Sequence, residues 1–327
     1  MRERDRQEAG RPGISAHARA TAEALFVTFL WSTSWVLIKW GLPSIPPLTF
    51  AGLRYVMAFL CLAPALWIHR QEVRELSARS WTLVALLGVI LYALTQGGQF
   101  LTLARLGATT FSLLLSFTVV AVALASLAQR RERPRALQWA GIGLAVIGAI
   151  AYFAPARGVG GSVLGFTLAG ITVAANAAAA LLGRHVNRAK AARPIVVTAI
   201  SMGIGAALLL AAGVCVEGLP RLSAPSWGLI AWLAVVNTAV AFTLWNKTLR
   251  TLSAVESSVL NNTMLVQVAV LAWLFLGDTH GTIEIVGLVL VALGTLLVQL
   301  RTGSTPAPGP RTRNALSQRT QRAQRTR

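Results

Sequence analysis

Charged side chains are scarce in this sequence. Only 13% of its 327 residues are Asp, Glu, Lys or Arg, against about 25% in a typical soluble domain. Hydrophobic residues make up 55% of the chain, and the mean hydropathy is +0.61. So little charge leaves too few polar groups to cover a water-soluble fold, and the composition therefore predicts an integral membrane protein.

Cysteine, histidine and catalytic motifs are also sparse. The two cysteines, Cys61 and Cys215, fall within apolar runs, so we expect small packing residues and no disulfide. The four histidines lie in tails or loops without metal-ligand spacing, and GxSxG, HExxH and P-loop motifs are absent. We therefore expect no enzyme, metal site or cofactor. The basic N-terminus has no small-residue cleavage site, so no cleaved signal peptide is predicted.

Apolar windows long enough to cross a bilayer recur along the chain. A crossing helix needs about 20 mostly apolar residues. Ten windows satisfy this requirement, at 22–41, 48–68, 81–103, 108–128, 136–154, 163–183, 195–216, 227–246, 254–276 and 282–300. The predicted fold class is thus an all-α integral membrane protein with ten transmembrane helices.

The basic residues support this count. With the N-terminus inside, the cytoplasmic segments hold 25 of the 30 Lys and Arg residues, the external segments hold 3, and Lys39 and Arg54 lie within spans. Cytoplasmic loops of membrane proteins carry such an excess. We therefore interpret the net charge of +19 as the excess of basic residues in the cytoplasmic segments of a membrane protein, with both termini in the cytoplasm. Its spread over the inner loops argues against a nucleic-acid partner.

An internal repeat relates the two halves. Residues 104–153 align without a gap on 250–299 at a shift of 146, which pairs Leu106 with Leu252 and Ser112 with Ser258. Each repeat holds five predicted helices, an odd number, so the second must enter the membrane from the opposite face. Inverted repeats are typical of secondary transporters, whose substrate sites lie near the bilayer midplane between the halves.

The stretch WSTSWVLIKWGLPSIPPLTFAGLRYVMAF (31–59) resembles the opening of EamA-type drug/metabolite transporters. That family has a Trp-small-small start, a Lys near the end of helix one, a Pro-rich external turn and an Arg in helix two. Residues 252–278 resemble the matching segment of the second repeat, which ends in a Leu-Gly-acid sequence. The resemblance covers about residues 22–300. It implies ten helices, cytoplasmic termini and export or exchange of small metabolites.

The chain departs from the family pattern in helices four and nine, which often carry a proline. Here SFTVVAV and NTMLVQV have none, so a proline hinge is not expected. The predicted divisions are a basic cytoplasmic segment (1–21), two EamA-like repeats (22–154 and 163–300) and a disordered basic cytoplasmic tail (301–327).

Three of the charged residues within the predicted spans stand out: Lys39, Arg54 and Glu256. Charge in the hydrocarbon is costly and tends to face a cavity or a partner. Arg54 could hold an anionic substrate group such as a carboxylate, or could snorkel to the carbonyls of the external turn. Lys39 is expected to snorkel at the interface.

Glu256 begins a polar stripe on helix nine. Glu256, Thr263 and Gln267 lie within about 40° of one another at 100° per residue. Ser257, Ser258, Asn261 and Asn262 lie on the adjoining sides. This polar surface suits a water-filled cavity, and for these Ser and Asn residues helix–helix hydrogen bonding explains it equally well. Glu256 itself could pair with Lys247 or Arg250, or could couple transport to protons.

Uncharged polar residues in other spans complete the candidate set. The substrate-binding residues we predict, with Arg54 as the partner for an anion, are Ser34, Arg54, Gln96, Asn176, Asn237, Glu256, Asn262 and Gln267. Trp31, Trp35, Tyr92 and Trp245 could form aromatic walls or an interfacial belt. Gly141, Gly148, Gly287 and Gly294 are expected to pack helices five and ten closely together.

The sequence thus predicts a secondary transporter in the cytoplasmic membrane. It would move small metabolites, such as amino acids, outward by alternating access, with the two halves rocking about a central site. Its partners would be a small-molecule substrate and the lipid bilayer, either as a monomer or as a homo-oligomer. The alternatives are a proton-coupled multidrug-cation exporter using Glu256, or a membrane sensor or scaffold that acts through its basic tail.

Overall fold

The computed structural model describes residues 16–128, 136–153, 162–189, 192–248, 251–252 and 254–299. Within these ranges every regular element is helical, and no strand occurs. The predictions for the first 15 residues, the basic loop at 129–135 and the tail at 301–327 lie outside the described residues.

Fourteen α-helices and two π-helical segments follow one another in the described ranges. They are α1 (Ala16–Gly41), α2 (Pro47–Ile68), α3 (Arg70–Arg74), α4 (Ala78–Leu87), π1 (Gly88–Gln96), α5 (Gly97–Leu103), α6 (Ala108–Ser116), α7 (Thr118–Ala128), α8 (Ala136–Phe153), α9 (Val163–Ala189), α10 (Pro194–Glu217), α11 (Ala224–Ala234), π2 (Val235–Val240), α12 (Ala241–Thr248), α13 (Ala254–Leu276) and α14 (Thr282–Gln299).

The predicted spans coincide with these helices, but the count of ten crossings is not confirmed. Among the described residues, seven helical runs are long and apolar enough to cross a membrane, two of them being α4–π1–α5 and Ala224–Trp245. Three further apolar helices are shorter: Ala108–Val122, Thr263–Leu276 and Thr282–Leu297. The chain is therefore a multi-pass membrane protein, and ten crossings remain a prediction.

Helix four is interrupted although it contains no proline. Helix α6 ends at Ser116 and α7 begins at Thr118, with Phe117 between them. The Phe117 N–H donates to the carbonyl of Leu114 at 3.1 Å, three residues back rather than four. A tightened turn thus replaces the α-helical hydrogen bond at this point.

The two π segments resemble each other in local structure. In π1 the Thr95 hydroxyl donates to the carbonyl of Ile90 at 2.8 Å, and in π2 Thr238 donates to Leu233 at 2.8 Å. Both side-chain bonds reach five residues back, which matches the wider turn of a π-helix. Such segments are frequent at functional sites. The sequence patterns did not predict these π segments.

Matching helix caps precede the two π segments. Ser77 accepts a hydrogen bond from Ser80 N–H at 3.2 Å, and Ser223 accepts one from Ser226 N–H at 3.3 Å. The positions are 146 residues apart, the same shift as the repeat detected in the sequence. The described structure therefore repeats locally upstream of the 104–153 window.

Helix contacts also follow a two-fold pattern. Helix α2 packs along α10, and α8 along α14. Helix α1 packs on α13 and α12, whereas α9 packs on α6, α7, π1 and α5. If each helix is replaced by its equivalent in the other half, the α2–α10 and α8–α14 pairs stay the same. The contacts of α1 with α13 and α12 then correspond to those of α9 with α6, α7 and α5.

Close glycine packing joins α8 to α14, as the sequence predicts. A Cβ atom built on Gly148 would lie 2.7 Å from the Gly287 carbonyl oxygen, and one on Gly294 would lie 2.6 Å from the Gly141 carbonyl oxygen. Since no side chain fits there, the glycines allow the two backbones to touch. The structural interpretation of these four residues is confirmed.

The cysteine prediction is wrong in one respect. Cys61 on α2 and Cys215 on α10 are exposed rather than packed within the protein. Large apolar side chains such as Trp67 (72% exposed) and Ile150 (63% exposed) share the outer surface. In a bilayer this apolar surface faces lipid, so an apolar run does not distinguish a core position from a lipid-facing one.

Candidate functional site

Helix α1 carries polar side chains on two faces at its middle. Thr28 and Ser32, four residues apart, face α13, where Ser32 donates to Gln267 Oε1 at 2.9 Å. Thr33 and Ser34 face α2 and π2 instead. Helix α1 therefore lies between two hydrogen-bonded clusters, one on its α2 side and one on its α13 side.

Arg54 is the central charge of the cluster on the α2 side. Its side chain is 4% exposed. Its Nε donates to Thr238 Oγ1 at 2.9 Å, and Nη2 reaches Ser34 Oγ at 3.5 Å. The guanidinium carbon lies 5.3 Å from the ring centroid of Tyr55, in the range of a cation–π contact.

The position of Arg54 differs from that of a snorkelling residue, because its side chain turns inward from helix α2. Within the described part of the chain, none of the ion pairs brings a carboxylate to Arg54. A buried cation without a carboxylate partner is costly. An anionic ligand is one group that would offset this cost.

Asn237 lies in π2 and is fully buried. Its Nδ2 donates to the Leu30 carbonyl and to Thr33 Oγ1, the latter at 3.0 Å. Its Oδ1 is buried without a hydrogen-bond partner. An unsatisfied buried acceptor costs about 1–3 kcal/mol, so this oxygen is suited to accept from a ligand or an ordered water.

Aromatic rings extend along one side of this cluster. The ring centroids of Trp245 and Trp31 are 5.1 Å apart, those of Trp31 and Phe242 are 5.2 Å apart, and Phe242 lies 6.2 Å from Tyr92. Tyr92 in turn lies 5.5 Å from Tyr55, beside Arg54. Trp31 Nε1 is a second buried polar atom without a partner. The aromatic series thus connects α12 with the arginine.

A cavity of about 250 Å³ opens near the α12 end of this series. It is lined by Leu62, His69, Arg193, Pro194, Ile195, Thr198, Thr243 and Lys247. Arg193 pairs with Glu72 at 2.8 Å, and Lys247 pairs with Glu23 at 2.8 Å. The cavity lies between helices of both halves, on the side that the charge pattern assigns to the cytoplasm.

Gln267 and Asn176 lie in helix–helix contacts. Gln267 Nε2 donates to Thr28 Oγ1 at 3.3 Å and to Thr263 Oγ1 at 3.1 Å, in addition to accepting from Ser32. Asn176 on α9 donates to Thr118 Oγ1 at 3.2 Å, at the start of α7. Their hydrogen bonds are those of residues that join helices, the alternative that the sequence left open.

We expect Gln267→Leu to lower the free energy of unfolding by about 1 kcal/mol, since interhelical hydrogen bonds in membranes contribute about 0.6–1.7 kcal/mol. Val266→Leu is the matched control, because Val266 is the preceding residue and is 55% exposed. Unfolding in mixed micelles measures both variants. A Gln267→Leu protein of unchanged stability would contradict the joining role.

The remaining candidates are placed only in part. Gln96 is half-buried at the last position of π1. Glu256 and Asn262 belong to α13, but their side chains lie outside the described residues. Lys247, proposed as a partner of Glu256, bonds to Glu23. Lys39 is half-buried near the end of α1.

Sequence reasoning missed Thr238, the direct partner of Arg54. Thr238 follows Asn237 in an otherwise apolar run, AVVNTAV. A hydroxyl in a membrane helix usually bonds to its own backbone, so the residue type carries no special signal. The adjacent polar pair Asn237–Thr238 is the feature that could have identified it.

Comparisons with known proteins bear on this arrangement. The sequence profile of the EamA-like transporter family matches residues 21–154 and again residues 163–300. An uncharacterized transporter of Bacillus subtilis (strain 168), YoaV, is 31% identical over 98 residues, which are 29% of this chain and 34% of YoaV. A transporter of S-adenosylmethionine and S-adenosylhomocysteine from Chlamydia trachomatis serovar L2 is 31% identical over 124 residues, or 38% of this chain and 37% of that protein.

The chain therefore matches only about a third of the length of each of these two curated relatives. One solved crystal structure of a protein covers 86% of this chain and 96% of its own, with a TM-score of 0.62 and 17% sequence identity. At that identity the likeness concerns the fold alone.

Proposed function

Because the chain belongs to the EamA-like transporter family, we propose that it is a secondary transporter of amino acids or related small metabolites, working outward across the cytoplasmic membrane. Two inverted five-helix repeats, at 22–154 and 163–300, would provide ten crossings and alternating access. Both termini, including the segments 1–21 and 301–327, would be cytoplasmic.

The helix pairings support this topology. Because a repeat has five helices, an odd number, the second repeat crosses the membrane in the opposite direction to the first. If the two repeats share a fold, each helix contact should recur between the equivalent helices. The pairings of α2 with α10, of α8 with α14, and of α1 and α9 with their neighbours have this property. The excess of Lys and Arg in the segments assigned to the cytoplasm supports the orientation.

The observation that carries the proposed substrate class is a buried Arg54 that bonds to Thr238, together with a buried Asn237, the preceding residue in π2. Arg54 offers donors without a described carboxylate partner, and Asn237 offers an unpartnered amide oxygen. A carboxylate suits the first group and an ammonium the second. An α-amino acid has both groups one carbon apart, and the aromatic rings would contact an apolar side chain.

The named relative agrees with this chemistry. S-adenosylmethionine contains an α-amino acid group, and a transporter of that compound matches part of this chain. We propose Ser34, Arg54 and Asn237 as the core of the site. Gln96, Asn176, Glu256, Asn262 and Gln267 would line the path or join the moving helices around it.

Counterflow in proteoliposomes tests the proposal. Vesicles preloaded with unlabelled L-leucine, L-phenylalanine, lactate or tetraphenylphosphonium receive the same compound in radiolabelled form outside. We expect saturable exchange of the amino acids, but no exchange of the lipophilic cation. Exchange of the cation alone would contradict the substrate class and favour a multidrug exporter. No exchange above protein-free vesicles for any compound would contradict transport of these solutes.

A further inference from the structure

Glu217 connects the end of α10 to the beginning of α2. Its carboxylate accepts from the backbone N–H of Leu48 at 3.1 Å, from that of Thr49 at 2.9 Å, and from the Thr49 hydroxyl at 3.1 Å. The first N–H groups of a helix have no partner within the helix, and a carboxylate is favoured there. A residue of the second repeat therefore caps a helix of the first repeat.

The converse connection exists at the opposite end of the same two helices. Glu72, just beyond the end of α2, accepts from the backbone N–H of Arg193 at 3.0 Å, and Arg193 is the N-cap residue of α10. The Arg193 guanidinium adds an ion pair to Glu72 at 2.8 Å. Glu72 and Glu217 are 145 residues apart, so the two caps occupy nearly equivalent places in the two repeats.

Between the caps the two helices pack closely, and their backbones touch near the end that Glu217 caps. A Cβ atom on Gly213 would lie 2.7 Å from Thr49 N, one on Gly52 would lie 2.5 Å from Leu210 Cα, and one on Gly203 would lie 2.7 Å from the Phe59 ring. Packed backbones of this kind have few alternative arrangements. Two capped ends and this close packing make α2 and α10 a tightly connected pair.

From these contacts we infer that α2 and α10 move as one unit during transport, held at both ends by the carboxylates of Glu217 and Glu72. The inference rests on the proposed function and specifies how its helices move. A simple rocking of one repeat against the other would separate α2 from α10 at one end. That separation would break a cap, so the other helices must move around this pair.

The contact between α1 and α13 differs in character. Besides apolar packing, it includes hydrogen bonds between side-chain hydroxyl and amide groups, and the Thr28 and Thr263 hydroxyl oxygens are 3.5 Å apart. Such bonds are replaced more easily than backbone contacts, because small rotamer changes or water can satisfy the same groups. Helices α1 and α13 are therefore the pair that we expect to separate.

The chain's two native cysteines allow a direct test. Cys61 on α2 and Cys215 on α10 are the only cysteines in the sequence, and both are exposed. Spin labels on them report the α2–α10 distance by double electron–electron resonance. We expect one narrow distance distribution, unchanged by saturating L-phenylalanine. A second population, or a shift larger than the roughly 1–2 Å typical of small helix adjustments, would overturn the inference.

The caps are tested with the same labels. We expect the double variant Glu72→Gln plus Glu217→Gln to broaden the distribution at least twofold. Glu284→Gln is the matched control, because Glu284 accepts from Gly281 N–H at 2.8 Å at the start of its own helix, α14. A double variant with the same distribution as the wild type and the control would show that the carboxylates do not hold the pair.

Tethering separates this inference from the proposed function. In a Cys61→Ser, Cys215→Ser background, Thr49→Cys with Glu217→Cys should retain counterflow after the thiols are joined. Thr28→Cys with Thr263→Cys should lose it and regain it on reduction. Loss of counterflow in the protein whose α2 and α10 are cross-linked would overturn the inference. If the wild-type protein transports nothing, the proposed function fails, and the spin-label distances decide the inference alone.

Discussion

Replacing Arg54 with alanine is expected to weaken amino-acid binding and transport by about 10- to 140-fold. Hydrogen bonds to charged groups contribute about 1.5–3 kcal/mol, and each 1.4 kcal/mol corresponds to a tenfold change in affinity. Among the described residues, Arg54 is the only charged group in the cluster on the α2 side of α1, and the variant removes it. Arg54→Lys keeps the charge but loses the planar array of donors, so we expect an intermediate defect.

Arg105→Ala is the matched control for Arg54. Arg105 is exposed, and its Nη1 donates to the Leu101 carbonyl of its own helical segment at 3.0 Å. Its loss should leave counterflow and ligand-induced thermal stabilisation unchanged. Both variants should be compared by thermal unfolding with and without L-phenylalanine, since a ligand that binds the folded state raises its apparent stability. An Arg54→Ala protein that folds and is stabilised as strongly as the wild type would exclude Arg54 from the site.

Gly148→Ala should lower the free energy of unfolding by about 3 kcal/mol, at the upper end of the range for overpacking. The added Cβ would lie 2.7 Å from the Gly287 carbonyl oxygen and 2.7 Å from the Val291 nitrogen. Both are backbone atoms, which cannot rotate away as a side chain can. Helices α8 and α14 would have to separate over several turns, and their other close contacts would weaken.

Gly143→Ala on the same helix provides the control. A Cβ atom there would have no other heavy atom within 4 Å. Because alanine favours the helix over glycine by about 1 kcal/mol, this variant should be neutral or slightly more stable. Denaturation in mixed micelles measures both proteins. Equal stability of the two variants would contradict the close contact between α8 and α14.

The sequence alone determined the class of the protein, the positions of its helices and the glycine faces of α8 and α14. Each of these depends on local quantities. The length of an apolar run and the spacing of small residues along one helix do not require knowledge of the partner helix. The resemblance at residues 31–59 also indicated the family that the comparison of the whole chain then established.

Only the tertiary structure decided what the polar residues contact. Gln267 and Asn176 could equally have faced a cavity, but neighbouring helices provide their partners. Arg54 could have reached the external turn, but Thr238 and Ser34 bind it inside the protein. The tertiary structure likewise decided what surrounds Cys61, Cys215, Glu72 and Glu217. Their surroundings depend on residues that are distant in the sequence. The protein core and the surrounding lipid are both apolar, so the composition of a helix does not show which of the two a residue faces.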